Sequence, residues 1–469
     1  EWSLVFSNGD RQQARRDGAL LWKLDRLLRE DMMTLGRITA ISGTVLLVTW
    51  CSEGLAQDKS GGYWPTWRGP NISGVAPESN PPIHWSETTN IRWKVEVPGR
   101  GSASPVIWDD RVFVLTAVPA GSNRKLSQSV GLDPDRVHEF TVIAYDRVDG
   151  SVIWKDVARE EQPHEGAHRQ NGSWASGSAV TDGEHLFAYF GSRGLYCYTL
   201  EGDLIWETDF GDKRMRNEFG EGTTPALAGD TLVIVWDHLG DSFVVALDKR
   251  TGVERWRVER DEIDTWATPL IVEHEGRSQV VVGGMKRIVS YDLETGKVVW
   301  HSDGLTMNPI PSPVAAGGFI YLTSGYRGNA LKAIRLDQAS GDITGTSAIA
   351  WSLDRDTPYV PSPLLYDDIL YVLKGNSGIL SAFEAKGGRP HYQAQRLPHI
   401  SNVFASPVGA ADRVYITGRD GATVVLRHGS EFEVLSTNVL EEGFDASPAI
   451  AGDELYLRGA RHLYSIAVQ

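Results

Sequence analysis

Cysteine is almost absent from this chain. Its 469 residues hold only Cys51 and Cys197, too few for a disulfide framework or a thiolate metal cluster, and with no C-x-x-C-H run there is no covalent haem attachment. Cys197 lies in the apolar stretch Tyr196-Cys197-Tyr198 and reads as a buried core thiol. Basic charge is scarce as well: 46 Lys plus Arg face 61 Asp plus Glu, for a net charge of −15. A surface of that sign repels phosphate backbones and excludes a general nucleic-acid binder. No Gly-x-Ser-x-Gly elbow stands between a strand and a helix, and the many glycines sit in hairpin turns rather than in phosphate-binding loops. Helical periodicity nearly vanishes after residue 60.

The first 60 residues differ from the rest. Arg37 precedes the apolar run Ile38 to Val48, and Gly54-Leu55-Ala56 supplies small residues where a signal peptidase cuts. The run is well short of the ~20 residues that cross a bilayer as a helix. We therefore expect a secretory signal over 34–56, a mature chain in the periplasm or outside the cell, and no transmembrane span in that mature chain. Two alternatives are an uncleaved anchor and a lipoprotein acylated at Cys51, the latter opposed by bulky Trp50 just before it. Residues 1–33 form an N-terminal extension, amphipathic through Leu20, Leu21, Leu24, Leu27 and Leu28. Met32 or Met33 is the expected start, with an over-extended translation before it; a cytosolic leader is the other reading. Residues 57–83 are expected to be a linking segment and 84–469 the folded domain.

That domain is a repeat. A small residue, usually followed by proline, opens a strand at Ser104, Ser178, Thr224, Thr268, Ser312, Ser362, Ser406 and Ser447, at spacings of 74, 46, 44, 44, 50, 44 and 41 residues. Eight positions after each anchor comes an apolar residue, Val112, Leu186, Leu232, Ile320, Leu370, Val414 or Leu455; the fourth repeat has Gly276 there instead, in the turn His274-Glu275-Gly276-Arg277. Such a period matches a four-stranded propeller blade, and one unit that small cannot bury its own faces, so the ring is the folding unit. The spacing predicts an all-β, eight-bladed propeller of four-stranded antiparallel blades. The chain stops after Leu463 to Ala467, a third strand, so Ile91-Arg92-Trp93-Lys94-Val95 is expected to complete the last blade and remove two sheet edges.

A second motif follows in the first half. Ala246-Leu247-Asp248-Lys249-Arg250-Thr251-Gly252 leads to Trp256; the same spacing joins Ala144 through Asp146 and Gly150 to Trp154, and Ser290 through Asp292, Thr295 and Gly296 to Trp300, with a weaker copy from Gly202 to Trp206. Asp and Thr bond the turn backbone, Gly takes positive φ, and the tryptophan offers an apolar face to the next blade with an indole N–H that needs an acceptor. In these residues the chain resembles the pyrroloquinoline-quinone (PQQ)-like β-propeller repeat family, over roughly residues 64 to 469. Trp64-Pro65-Thr66-Trp67-Arg68-Gly69-Pro70 and Tyr189 to Tyr196 are similar to its secreted bacterial members of unassigned activity. Blades 5 to 8 depart from the motif, with an insertion before Trp351, Tyr392 in place of Trp, and no Trp in blade 7. Packing between blades in that half is thereby in question.

The resemblance implies two readings of function. Quinone-dependent dehydrogenases of the family hold PQQ between a tryptophan and a disulfide of adjacent cysteines, beside a calcium-bound carboxylate and an aspartate base; the adjacent cysteines are missing here. A propeller lipoprotein of the family, in outer-membrane β-barrel assembly, is the precedent for a scaffold. We expect a non-catalytic propeller that binds a protein, peptide or glycan, with no cofactor and no metal; the alternative is an alcohol or sugar dehydrogenase using PQQ with calcium. Candidate channel residues are Trp266, two before its anchor, and Asp445, two before the last one. Trp266 either stacks on a flat ligand or packs between blades; Asp445 either orients a hydroxyl or is a solvated turn carboxylate. The long connection between blades 1 and 2 adds His164, Glu165, His168, Arg169 and Asn171, a proton-shuttling or metal-binding set if converged and a solvated loop if not.

Overall fold

A computed structural model describes residues 62–121, 134–168 and 172–468. Cys51, the expected signal segment, Arg169 and Asn171 lie outside these residues. The described chain is an all-β ring of eight blades: 106–161, 180–208, 226–260, 270–303, 314–353, 364–396, 408–439, and 449–466 completed by Ile91–Glu96. That N-terminal strand pairs antiparallel with His462–Ile466, Trp93 opposite Ser465 and Val95 opposite Leu463, and so closes the ring. Each blade is a four-stranded antiparallel meander, and blade 4 carries one strand more. The insertion before Trp351 folds back so that Gly341–Asp342 lies parallel to the outer strand Val298–Asp303. Among the described residues no helix is long and apolar enough to cross a membrane.

The anchors do more than start strands. In the first seven the backbone N–H donates to the hydroxyl of the next blade's anchor: Ser104 to Ser178 (2.9 Å), Ser178 to Thr224 (3.0 Å), Thr224 to Thr268 (3.2 Å), Thr268 to Ser312 (2.8 Å), then Ser312 to Ser362, Ser362 to Ser406 and Ser406 to Ser447, each 2.9 Å. All eight anchors are buried, so each bond satisfies an N–H that water does not reach, and a buried donor left unpaired costs about 1–3 kcal/mol. The apolar residues eight positions on, Val112 through Leu455, are fully buried between neighbouring sheets.

The docking motif joins one blade to the next. Indole Nε1 of Trp93 donates to the Arg147 carbonyl (3.0 Å), Trp154 to Leu200 (2.8 Å), Trp206 to Lys249 (2.9 Å), Trp256 to Leu293 (2.9 Å) and Trp351 to Ala385 (2.8 Å). Every acceptor belongs to the turn of the following blade, and each indole rests on that turn's glycine: Gly150, Gly202, Gly252, Gly296 or Gly388. All five glycines have positive φ, and a Cβ at any of them would sit 2.6 to 2.8 Å from the ring. The turn aspartate holds the loop: Asp248 Oδ1 accepts from the N–H of Arg250 and Thr251 and from the Thr251 hydroxyl.

Blades 4, 6 and 7 replace this device. Trp300 turns inward to the Gln279 side chain (3.0 Å), beneath the extra strand. Tyr392 packs edge-on against Phe432 of blade 7. Between blades 7 and 8 residues 80–87 supply the missing contacts: Arg413 and the Tyr415 hydroxyl donate to the Pro81 carbonyl, Trp85 stacks on Tyr415, and Asn438 bonds both the Trp85 N–H and the Ile83 carbonyl. In the second half blades 5 and 8 thus keep the motif through Trp351 and Trp93, while blades 6 and 7 are packed by other means.

Residues 64–76 cross the ring. Trp64 bridges to Ile107 of blade 1, the Pro65 carbonyl accepts from Thr181 of blade 2, and Ala76 donates to Gly409 of blade 7. At the crossing Trp67 lines the central channel. The fully buried Arg68 guanidinium donates to the carbonyls of Pro363, Pro407 and Ser73, the first two directly after the anchors of blades 6 and 7.

Candidate functional site

The central channel is walled by the eight anchors, and the residues two positions earlier form a second ring at its mouth: Ser102, Ser176, Gly222, Trp266, Ile310, Val360, Phe404 and Asp445. Small residues occupy blades 1 to 3 and larger apolar ones blades 4 to 7, so the mouth is open on one side and apolar on the other. Above it lies a cavity of about 420 Å³, which those residues share with His168, Phe219, Asn308, Tyr326, Tyr359 and Asn376. The 64–76 crossing, with Trp67, occupies the side of the channel away from this cavity.

Trp266 lies at the channel mouth. Its ring faces the channel, and its Nε1 donates to the Gly220 carbonyl of the preceding connection at 2.6 Å, which fixes the indole plane. Asp445 faces it from the opposite blade and is gripped by Arg419, with Nε 2.5 Å from Oδ1 and Nη2 3.3 Å from Oδ2. Burial pushes the Asp445 carboxyl above its ordinary range against the pull of Arg419 and Arg100. The Arg419 guanidinium lies 4.4 Å over the Phe404 ring, a cation–π contact that holds the fork in place.

The 164–168 connection divides. His168 reaches the cavity with its ring beside Phe219. His164 Nε2 lies 2.5 Å from the Lys213 carbonyl, and Glu165 accepts from the Met215 N–H, so these two latch the 212–215 loop instead. Trp266, Asp445 and His168 therefore share one cavity, while His164 and Glu165 stand outside it. Among the described residues no three His, Cys, Asp or Glu side chains converge as a metal-holding group. The thiol of Cys197 is buried in blade 2, where burial pushes its pKa up to about 12.

Residue-type reasoning missed the paired rings of Tyr326 and Tyr359, stacked at 4.9 Å, the arginine beside Asp445, and Asn308. That asparagine is buried at φ 53°, beside the Tyr359 hydroxyl. Phe404, Ile310 and Val360 could have been found, since they stand at the same offset from their anchors as Trp266.

The sequence matches the family described as outer membrane protein assembly factor BamB over residues 11–173, 138–302 and 240–468. Comparison with curated proteins finds no match. Among solved structures, BamB from Moraxella catarrhalis is similar with 14% identity and a TM-score of 0.55, over 80% of this chain and 96% of that one. Quinohemoprotein alcohol dehydrogenase from Comamonas testosteroni is similar with 11% identity and a TM-score of 0.60, over 88% and 82%. A europium-containing methanol dehydrogenase gives 10% and 0.58, over 86% and 91%. At these identities the likeness is one of fold.

Proposed function

The chain belongs to the family of the outer membrane protein assembly factor BamB, and from that premise we propose that it is a non-catalytic binding scaffold that takes a protein, peptide or glycan at the channel mouth. The observation that carries this reading is the cavity's lining. Trp266, Phe404 and the Tyr326–Tyr359 pair offer fixed aromatic faces, and the Asn308 and Asn376 amides add polar groups among them. Export through the expected signal at 34–56 places such a scaffold in the periplasm or outside the cell, in keeping with a family described by outer-membrane assembly. Cell fractionation of the full chain tests that placement.

The second reading, a PQQ- and calcium-dependent dehydrogenase, draws on Trp266, whose channel-facing ring suits a flat cofactor, and on the fold shared with quinone enzymes. The residues fit that pair poorly. Asp445, the carboxylate facing Trp266, is held by both forks of Arg419, and no adjacent cysteines stand over the indole. Titrating purified protein with PQQ and Ca²⁺, then assaying dye reduction with alcohols and sugars, separates the two. The scaffold reading expects neither saturable binding nor turnover; stoichiometric binding with turnover overturns it.

A further inference from the structure

Beside the channel mouth, between the inner ends of blades 7, 8 and 1, lies a second cleft of about 390 Å³. It is lined by Arg100, Arg419, Arg458 and Arg461, with Asp445 as the one carboxylate among the lining residues, and by Gly99, Gly101, Gly443 and Gly459. Four guanidinium groups around one cleft stand out on a chain whose net charge is −15. Arg419 is committed to Asp445, and Arg461 leans on Glu442 at 3.5 Å. Arg458 has no carboxylate within 4 Å among the described residues, although it is only 3% exposed. Its Nη1 donates to the carbonyls of Leu115 (2.6 Å) and Ala103 (3.2 Å), which fix the fork without neutralising it. Burial pulls its pKa down to about 10. A guanidinium kept from water beside open space is a cost that an anion entering the cleft removes.

The cleft adjoins the aromatic cavity, for Ser102 and Asp445 line both. The border is one side chain wide, since Arg419 reaches from Asp445 to the Phe404 ring. We propose that the two halves form one site for an extended acidic peptide segment, its carboxylates in the arginine cleft and a neighbouring aromatic or large apolar side chain against Trp266 and Phe404. Side chains at alternate positions of an extended strand lie about 7 Å apart on one face, so one strand can present a carboxylate and an aromatic ring side by side. This inference rests on the scaffold reading and names its ligand.

The test uses the full chain and a fluorescein-labelled peptide in which glutamates stand two residues before and two residues after a phenylalanine, read by fluorescence anisotropy. Its control is the same peptide with glutamines. The glutamate peptide is expected to bind at least about tenfold more tightly than the control, one lost charge-assisted contact being worth about that much. Raising salt is expected to narrow the difference. Arg458→Gln removes buried bonds and can unfold blade 8, so Arg461→Gln, at the half-exposed rim, carries the test, with an expected loss of about fivefold. Equal binding of the two peptides, or unchanged binding by Arg461→Gln, overturns the acidic-peptide assignment. Displacement of the peptide by inorganic phosphate alone overturns it in favour of a small-anion site, and displacement by oligogalacturonate in favour of an acidic glycan. Equal binding of both peptides at Trp266 leaves the scaffold reading standing; quinone-dependent turnover removes that reading itself.

Discussion

Substituting alanine for one of the docking glycines measures what the tryptophan contributes to the ring. At Gly252 φ is +70°, and an added Cβ would sit 2.7 Å from Cε3 of Trp206 and 2.9 Å from Cδ2. At Gly276 φ is +74°, yet an added Cβ would meet nothing within 4 Å. Both alanines thus incur the same left-handed backbone penalty, about 1–2 kcal/mol, and Gly252→Ala alone must also displace an indole. Carbon atoms do not approach within 3 Å, so the ring has to move. The bond from its Nε1 to the Lys249 carbonyl, now 2.9 Å, is then stretched or lost, at about 1 kcal/mol, with lost contact against blade 3 besides. The expected destabilisation is about 1–2 kcal/mol for Gly276→Ala and about 2–4 kcal/mol for Gly252→Ala, read from urea midpoints with the slope held constant. In Trp206→Phe the smaller ring has less to collide with Gly252→Ala, so the double variant is expected to be more stable than additivity predicts by about 1 kcal/mol. Equal losses at the two glycines, or strict additivity in the cycle, would refute the view that indole-on-glycine contact joins blades 2 and 3.

Three further outcomes are expected. Ser312→Ala leaves the buried Thr268 N–H without its acceptor and costs about 1–3 kcal/mol, whereas Ser312→Thr, a residue other blades use, costs under about 1 kcal/mol in the same melts. Arg68→Met leaves the carbonyls of Pro363 and Pro407 unbonded inside the ring and lowers stability by about 2–4 kcal/mol; hydrogen exchange is expected to show the loss concentrated in blades 6 and 7. Burial alone would raise the Asp182 carboxyl, but the Lys249 ammonium of the next blade and the N–H groups of His185 and Glu184 outweigh it and hold the pKa at about 2. Since that lies below the unfolded value of about 3.9, the pair's contribution is present above pH about 4 and fades as the pH falls towards 2. The gap in urea midpoint between wild type and Asp182→Asn should therefore close over that window; a gap independent of pH would remove Asp182 as its source.

Much of the candidate site was legible through the anchors. Trp266 and Asp445 stand two residues before theirs, and that single offset marks the whole mouth ring from Ser102 to Phe404. His164 and Glu165 had no such register: a loop's residue types do not say which side chains turn inward, and here a carbonyl and an N–H of the 212–215 loop claimed them. Arg419 and Arg458 carried no signal either, because their importance comes from neighbours in other blades. Arg419 is defined by Asp445 and Phe404, Arg458 by backbone carbonyls of blade 1 more than 340 residues away in the chain.

The sequence by itself determined the number of blades, the strand that closes them and the docking of the first three, because each is written in local spacing: an anchor, an apolar residue eight positions on, an Asp–Gly turn and a tryptophan. The reason for the anchors came from the tertiary structure, in which a hydroxyl in one blade accepts the N–H of the previous one, a bond between residues 41 to 74 apart. Only the fold, too, showed residues 64–76 crossing the ring and 80–87 replacing the tryptophan missing from blade 7. A periodic chain announces contacts that recur at its own period. Contacts made once, such as Arg68 on two distant carbonyls or four arginines around one cleft, arise when the closed ring brings far-separated residues together.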